Sequence, residues 1–153
     1  ITMPARQPDM IVDTHPCEAG IAFGAPVVLG TTGAVKAWEA ASTAAKFVGV
    51  AVREVKSAFD YMNQNVGSYR TGDAVPVLKR GCVNVICQNG TPVAGGKVYV
   101  RTVKNESYPN AAVGGFEAVE DTGKNVELTN AQWKGSADAN GVAEMRILTI
   151  LNA

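Results

Sequence analysis

The stretch from residue 71 to residue 103 constrains the fold most, because it alternates apolar and polar positions between glycine-rich corners. Valine recurs at every second position in segments 82–87 and 97–101, a period typical of half-buried antiparallel strands. The corners Arg80-Gly81 and Asn89-Gly90 favour tight turns, and Asn-Gly is a strong hairpin signal. This stretch therefore predicts three short strands connected in sequence by turns.

Further strand signals lie on both sides of this stretch. The segment 47–55 (FVGVAVREV) alternates cleanly, and segments 20–38, 116–119 and 142–151 carry weaker versions of the pattern. We expect roughly eight strands in all, spaced as in a barrel or sandwich. The class is therefore mainly β.

Three segments predict other local structure. Residues 38–46 favour a loop or a single helical turn. Thr129 followed by Gln132 matches a capping box and predicts a short helix there. Asp138 to Gly141 predicts a hairpin corner. The full prediction is a small antiparallel β-barrel or sandwich with one or two short helices and an extended N-terminal arm.

The arm comprises residues 1–19, and residues 20–153 form the β-barrel domain of this prediction. Prolines in the arm disfavour helix, yet Met10, Ile11 and Val12 are too apolar for a solvated tail. Docking on the chain's own barrel and exchange between subunits both explain this composition.

The connection 56–69 is long for a compact domain, and long loops are often functional. We expect it to form an exposed contact loop. The candidate interface residues, for another protein or for a second copy of the chain, are Met10, Ile11, Val12, Phe59, Tyr61, Met62, Tyr69 and Tyr108.

Charge composition argues against two classes of partner. Fourteen basic and fourteen acidic side chains cancel in 153 residues, without a run of like charge. Nucleic-acid binding and membrane anchoring both use a basic surface, so we expect neither. Cys17, Cys82 and Cys87 fit no zinc spacing and are expected to be buried reduced thiols, which indicates synthesis in a cytoplasm.

No motif predicts a catalytic, metal or cofactor site, and we expect no small-molecule substrate. Gly90–Lys97 superficially resembles a phosphate-binding loop, but a strand follows it instead of a helix. The single histidine, His15, lies in an irregular segment. The clustered acids are expected to be solvated charges; they are Glu117, Glu120, Asp121 and Glu127.

Two strings within the central stretch carry a resemblance to a known family. They are Gly72-Asp73…Val77-Leu78…Gly81 and Gly95-Gly96-Lys97-Val98-Tyr99-Val100. With the order of elements over residues 17–150, they resemble the structural cement or decoration proteins of tailed-bacteriophage heads. The resemblance implies a small β-barrel protein on the outer head surface, which clamps neighbouring major capsid protein subunits as a dimer or trimer and has no enzymatic activity.

Two alternatives stay open at this level. Another virion module, such as a head-tail joining or tail-tube protein, has a similar composition. A carbohydrate-active enzyme would need two carboxylates across a cleft, and Glu117 and Glu120 are the candidates.

Overall fold

The computed structural model describes residues 10–53 and 67–148, and these residues form a mainly β structure. A single 3-10 turn, Ala44–Lys46, is the only helical element in the described ranges. In chain order the strands are β1 (Ile11–Pro16), β2 (Ile21–Ala22), β3 (Pro26–Leu29), β4 (Val35–Ala37), β5 (Phe47–Ala51), β6 (Ser68–Tyr69), β7 (Ala74–Asn89), β8 (Lys97–Arg101), β9 (Phe116–Glu117), β10 (Asn125–Trp133) and β11 (Val142–Ile147).

Five strands close into a barrel, in the order β7-β9-β8-β10-β11 and back to β7. Closure comes from β11, which pairs with β10 on one side and with the second half of β7 on the other. The pair β7–β9 is parallel, and the other pairs of the barrel are antiparallel. Alternate residues of β11, namely Ala143, Met145 and Ile147, point into the barrel core. The predicted β-barrel is confirmed.

An open sheet is attached to the barrel through the first half of β7. Its order is β1-β7-β5-β3-β4, and each of these pairs is antiparallel. Adjacent side chains of β3 pack in different clusters: Val28 lies in the barrel core and Val27 in a second apolar cluster. Burial on both faces explains why this strand is a continuous apolar run and does not alternate.

Gly81 lies inside β7, where the sequence predicted a turn. β7 runs without a break from Ala74 to Asn89, so the predicted turn at Arg80-Gly81 is wrong. Gly81 has φ +120°, which L side chains rarely adopt. A glycine at this point lets one strand pair with β1 and β5 before it and with β11 after it. The glycine changes the strand's partners and does not reverse its direction.

The predicted hairpin around Asn89-Gly90 is also wrong. The chain does turn there, with Gly90 at φ +82°, but β8 does not pair with β7. β9 lies between β7 and β8 in the sheet, although it follows β8 in the sequence. The sequence therefore predicted the turn at this corner correctly, but the strand pairing that the turn suggested is wrong.

The predicted helix from Thr129 is replaced by a strand. Residues 129–132 lie within β10, which pairs with β8 and β11. Leu128 and Trp133 are buried in the barrel core, so tertiary packing outweighs the local capping signal. The corner at residues 138–141 is confirmed: the Asp138 carboxylate accepts hydrogen bonds from the backbone N–H groups of Asn140 (2.8 Å) and Val142 (2.9 Å).

Candidate functional site

The start of β1 exposes three consecutive apolar side chains. Met10 is 59% exposed, Ile11 48% and Val12 40%. We refer to these three residues as the β1 tip. Single exposed apolar residues are common on protein surfaces, but neighbouring ones mark a candidate interface.

β1 is held on the chain's own sheet, with Val12 opposite Leu78 and Pro16 opposite Ala74 on β7. Lys79 Nζ lies 2.8 Å from the Asp13 carboxylate. The hydrogen bond from Lys79, and then the charge of its ammonium, lower the pKa of Asp13. The β1 tip therefore projects from a positioned strand.

A buried polar network fixes the connection between β8 and β10. Arg101 donates two hydrogen bonds to Glu117, with Nε–Oε1 at 2.6 Å and Nη2–Oε2 at 2.9 Å. Its Nη1 donates to Asp121 at 2.7 Å. Asn105 also donates to Asp121 (2.8 Å), and Asn125 donates to Glu117 (2.6 Å). Each carboxylate thus accepts from a guanidinium and an amide, which offsets part of the cost of burial.

Two of the acids predicted to be solvated belong to this network, so that prediction is wrong for Glu117 and Asp121. The Glu117 side chain is 0% exposed, and the Asp121 side chain is largely covered. Hydrogen bonding from Asn105 and then from Arg101 lowers the pKa of Asp121. Sequence reasoning missed the pair because its members lie sixteen positions apart and meet only through strand pairing. The buried apolar neighbours of Arg101 on β8 were the one available signal.

Tyr108 lies above this network. Its ring centroid is 5.9 Å from the Arg101 guanidinium carbon, and its side chain is 42% exposed. The same connection exposes further apolar side chains, which are Val103, Val113 and Val119. An ordered loop that carries an exposed aromatic ring is a second candidate contact.

The remaining predicted interface residues divide into two groups. Tyr69 is only 1% exposed; its hydroxyl donates to the Val52 carbonyl, and its ring packs edge-on against Phe23. It is therefore a core residue, and the expectation that it is exposed is wrong. Phe59, Tyr61 and Met62 lie outside the described residues.

A groove of about 710 Å³ runs along the junction between barrel and open sheet. Within the described ranges its lining is mostly apolar, including Phe23, Val85 and Phe116, and Arg53 is its one charged residue.

In residues 10–53 and 67–148, no three His, Cys, Asp or Glu side chains are grouped so that they could hold a metal ion. No helix in these ranges is both long and apolar enough to span a membrane.

The thiols differ in exposure. Cys17 is buried, Cys87 is intermediate, and Cys82 is exposed on β7, so the prediction of three buried thiols is wrong for Cys82. Burial raises the pKa of Cys87. All three are free.

Comparison with protein families gives a match over residues 2–148, to the family described as structural cement protein (E217 gp24/Pam3 gp6). This chain belongs to that family. As a cement protein it is a structural component of the virion and associates with the capsid. The resemblance noted in the sequence is thereby confirmed.

A solved chain from a phage capsid shares the fold of this cement protein. A chain from the capsid of Myoviridae phage XM1 superposes with a TM-score of 0.67 at 17% identity, covering 99% of this chain and 89% of that chain. The base of the phage phi29 head fibre gp8.5 gives a TM-score of 0.48 at 12% identity, covering 94% and 98%. No curated protein matches the sequence.

Proposed function

We propose that this cement protein binds the outer surface of the capsid shell, contacts the major capsid protein and clamps neighbouring shell subunits as a dimer or trimer. The observation that carries the proposal is the β1 tip, where Met10, Ile11 and Val12 are exposed together. We infer a mechanical and not a catalytic role, because Arg101 engages both the buried Glu117 and the partly covered Asp121.

Burial of the β1 tip against a partner supplies a driving force. Removing apolar surface from water contributes about 25 cal/mol for each Å² buried. The three side chains are contiguous in sequence and all substantially exposed, so one partner surface can cover them together. Such a contact removes from water an apolar patch that the isolated chain leaves hydrated.

The fixed conformation of β1 makes the net free energy of binding more favourable. Residues 11–16 are paired with β7, and the Asp13–Lys79 ion pair restrains their middle. A segment that is already extended loses little conformational freedom when it binds. The tip therefore differs from a solvated tail, which would have to order itself on the shell.

A clamp needs contacts with more than one shell subunit. Standard protein interfaces bury about 1,600 Å² in total, more than three side chains can provide. We propose as further contacts Tyr108 and, from the connection 56–69, Phe59, Tyr61 and Met62. Tyr108 suits this role because tyrosine offers a large apolar ring with a polar tip.

The test is co-sedimentation with capsids that lack this protein. Purified chain is added to the shells, and the bound amount and the shell melting temperature are measured. The expected result is saturable binding and a higher shell melting temperature. Absence of both would remove the proposal.

A matched pair of variants locates the contact. Ile11→Ser with Val12→Ser should reduce binding, whereas Leu29→Ser with Val93→Ser should not, although Leu29 and Val93 are at least as exposed. Equal binding by both double variants would show that the β1 tip is not the contact.

A further inference from the structure

A thiol, an amine and a carboxylate lie together on the outer face of the barrel. Cys82 is exposed on β7, and the side chains of Lys134 and Glu144 are each 43% exposed. The Lys134 Nζ atom lies 3.1 Å from the Glu144 carboxylate. We refer to these three residues as the thiol cluster, and the proposed shell contacts do not include them.

Strand pairing brings the three residues of the thiol cluster together. The backbone N–H of Lys134, which directly follows β10, donates to the carbonyl of Glu144 on β11 at 2.9 Å. On the other side of β11, Cys82 lies opposite Arg146. Because Arg146 and Glu144 are two positions apart, their side chains are on the same face of the sheet. Lys134 and Cys82 are thus two strands apart, roughly 10 Å across the sheet, a distance that a lysine side chain helps to bridge.

The Cys82 sulfur interacts with both charged groups of the cluster. It lies within hydrogen-bonding reach of the Lys134 ammonium and of the Glu144 carboxylate. The other two thiols donate hydrogen bonds to nearby backbone carbonyls, from Cys17 to Ala19 at 2.8 Å and from Cys87 to Asn89 at 3.3 Å. Cys82 thus combines exposure with a neighbouring amine.

We propose that the thiol cluster is an oxidative modification site, at which a peroxide links Cys82 covalently to Lys134. A virion component leaves the reducing cytoplasm in which it is made, and exposed thiols then meet oxidants. The reaction uses side chains of one copy of the chain. It therefore does not rest on the proposed function.

The link forms in two steps. The Cys82 sulfur attacks one oxygen of hydrogen peroxide, which breaks the O–O bond and gives a sulfenic acid and one water. The Lys134 amine then attacks the sulfenic sulfur, forming an S–N bond as the S–O bond breaks. Sulfenic acids are known to form such bonds with backbone nitrogen. Together, a thiol, an amine and one peroxide give a sulfenamide and two waters, so sulfur loses the two electrons that peroxide gains.

Glu144 handles the proton of the second step. Hydrogen bonding to Glu144, and then the charge of Cys82, raise the pKa of Lys134, so the amine must lose a proton before it attacks. The Glu144 carboxylate is placed to accept this proton. It then returns the proton to the departing hydroxide, which leaves as water. The nitrogen releases its second proton to solvent.

The S–N link would span the strand that closes the barrel. β11 lies between β7 and β10 and pairs with both. A bond from Cys82 on β7 to Lys134 after β10 therefore joins the strands on both sides of β11. Linking residues far apart in sequence restricts the unfolded chain. The oxidised protein should accordingly unfold at a higher urea concentration than the reduced protein.

Mass spectrometry of the purified full chain after hydrogen peroxide treatment tests the link. The expected product has lost two hydrogen atoms, and its peptide map joins the peptide of Cys82 to the peptide of Lys134. Dithiothreitol should restore the original mass and lower the urea midpoint, because two thiols reduce the S–N bond.

Lys134→Arg is the decisive variant. It keeps a cation beside Glu144, but a guanidinium stays protonated and does not attack. Cys82 should then gain oxygen atoms instead of losing hydrogen. Lys97→Arg is the matched control, because Lys97 is also exposed and paired with a glutamate, Glu127, at 3.0 Å, and this variant should link as the wild type does.

Two results would overturn the proposal. One is a wild type that gains oxygen without any joined peptide. The other is a loss of two hydrogen atoms that persists in Lys134→Arg, which would indicate a disulfide. Glu144→Gln should slow formation of the link about tenfold or more, and an unchanged rate would exclude Glu144 as the base.

Discussion

Arg101 and Glu117 form a two-pronged ion pair inside the protein, with donor–acceptor distances of 2.6 and 2.9 Å and both side chains 0% exposed. Arg101 ends β8 and Glu117 ends β9, so the pair joins two adjacent barrel strands at their margin. Arg101 also binds Asp121 and lies beneath Tyr108. The pair thus determines where an exposed loop sits relative to the barrel.

Glu117→Gln should destabilise the fold strongly. The change leaves the buried Arg101 charge without its main partner, and breaking such pairs typically costs about 3–5 kcal/mol. Urea unfolding measures the loss. Glu127→Gln is the control, because it removes the exposed Lys97–Glu127 pair and should have little effect. Similar losses in the two variants would contradict a buried-charge origin.

Asp121→Asn should make the free energy of unfolding depend less on pH in the acid range. The pKa of Asp121 is lowered from 3.8 in the folded chain, so its contribution is present above about pH 4 and is lost as pH falls through the folded pKa. The unfolding free energy, measured from neutral to acid pH, should fall less steeply in the variant. The pKa values of Asp13 and Glu144 are also lowered, so the variant should still lose part of its unfolding free energy at acid pH. Glu106→Gln, at a largely exposed position, is the control, and an identical acid slope in Asp121→Asn and wild type would refute the prediction.

Gly49→Ala should destabilise the junction of barrel and open sheet. A Cβ on Gly49 would lie 2.1 Å from the Leu78 carbonyl oxygen, and backbone on a paired strand cannot easily move away. Overpacking of this kind typically costs about 1–3 kcal/mol. Thermal melts of Gly49→Ala and Gly135→Ala make a matched comparison, since a Cβ on Gly135 meets nothing within 4 Å. A melting temperature unchanged by Gly49→Ala would mean that the two strands separate more readily than their pairing indicates.

One thiol of three should react rapidly in the native protein. Cys82 is exposed, Cys17 is buried, and burial raises the pKa of Cys87, which lowers its thiolate fraction. A chromogenic disulfide reagent should show one fast equivalent, and Cys82→Ser should abolish it. Cys17→Ser is the control, and a fast phase that survives in Cys82→Ser would assign the reactivity to another position.

Truncation should separate the β1 tip from the residues before it. Deleting residues 1–9 leaves β1 and its tip in place, so this variant is the comparison for the longer deletion. Deleting residues 1–13 also removes Ile11, Val12 and the Asp13–Lys79 pair, and should weaken attachment more than it lowers the melting temperature. Equal shell affinity of the 1–13 deletion and the full chain would exclude the tip as a contact.

Sequence alone predicted the features that depend on near neighbours. Alternating valines in segments 47–55 and 97–101 predicted strands, and β5 (Phe47–Ala51) and β8 lie within these segments. Four of the five residues in each strand are buried, so neither strand is half-buried as the alternation suggested. The corner at residues 138–141 was predictable because the Asp138 side chain bonds to backbone within the same turn. The mainly β fold class and the family resemblance were both predicted from such local signals.

Tertiary structure decided which strands meet and which charges are buried. β7 continues through Gly81 instead of ending there, since it pairs with β1 before this residue and with β11 from it onward. β9 enters between β7 and β8 although it comes later in the chain, and that insertion brings Glu117 to Arg101. Burial and pairing depend on contacts between residues far apart in sequence, whereas turn and strand propensities depend on adjacent residues. The sequence therefore determined the β class and many of the strands and turns of this cement protein, and only the folded chain decided the order of the strands in the sheet and the burial of the Arg101–Glu117 ion pair.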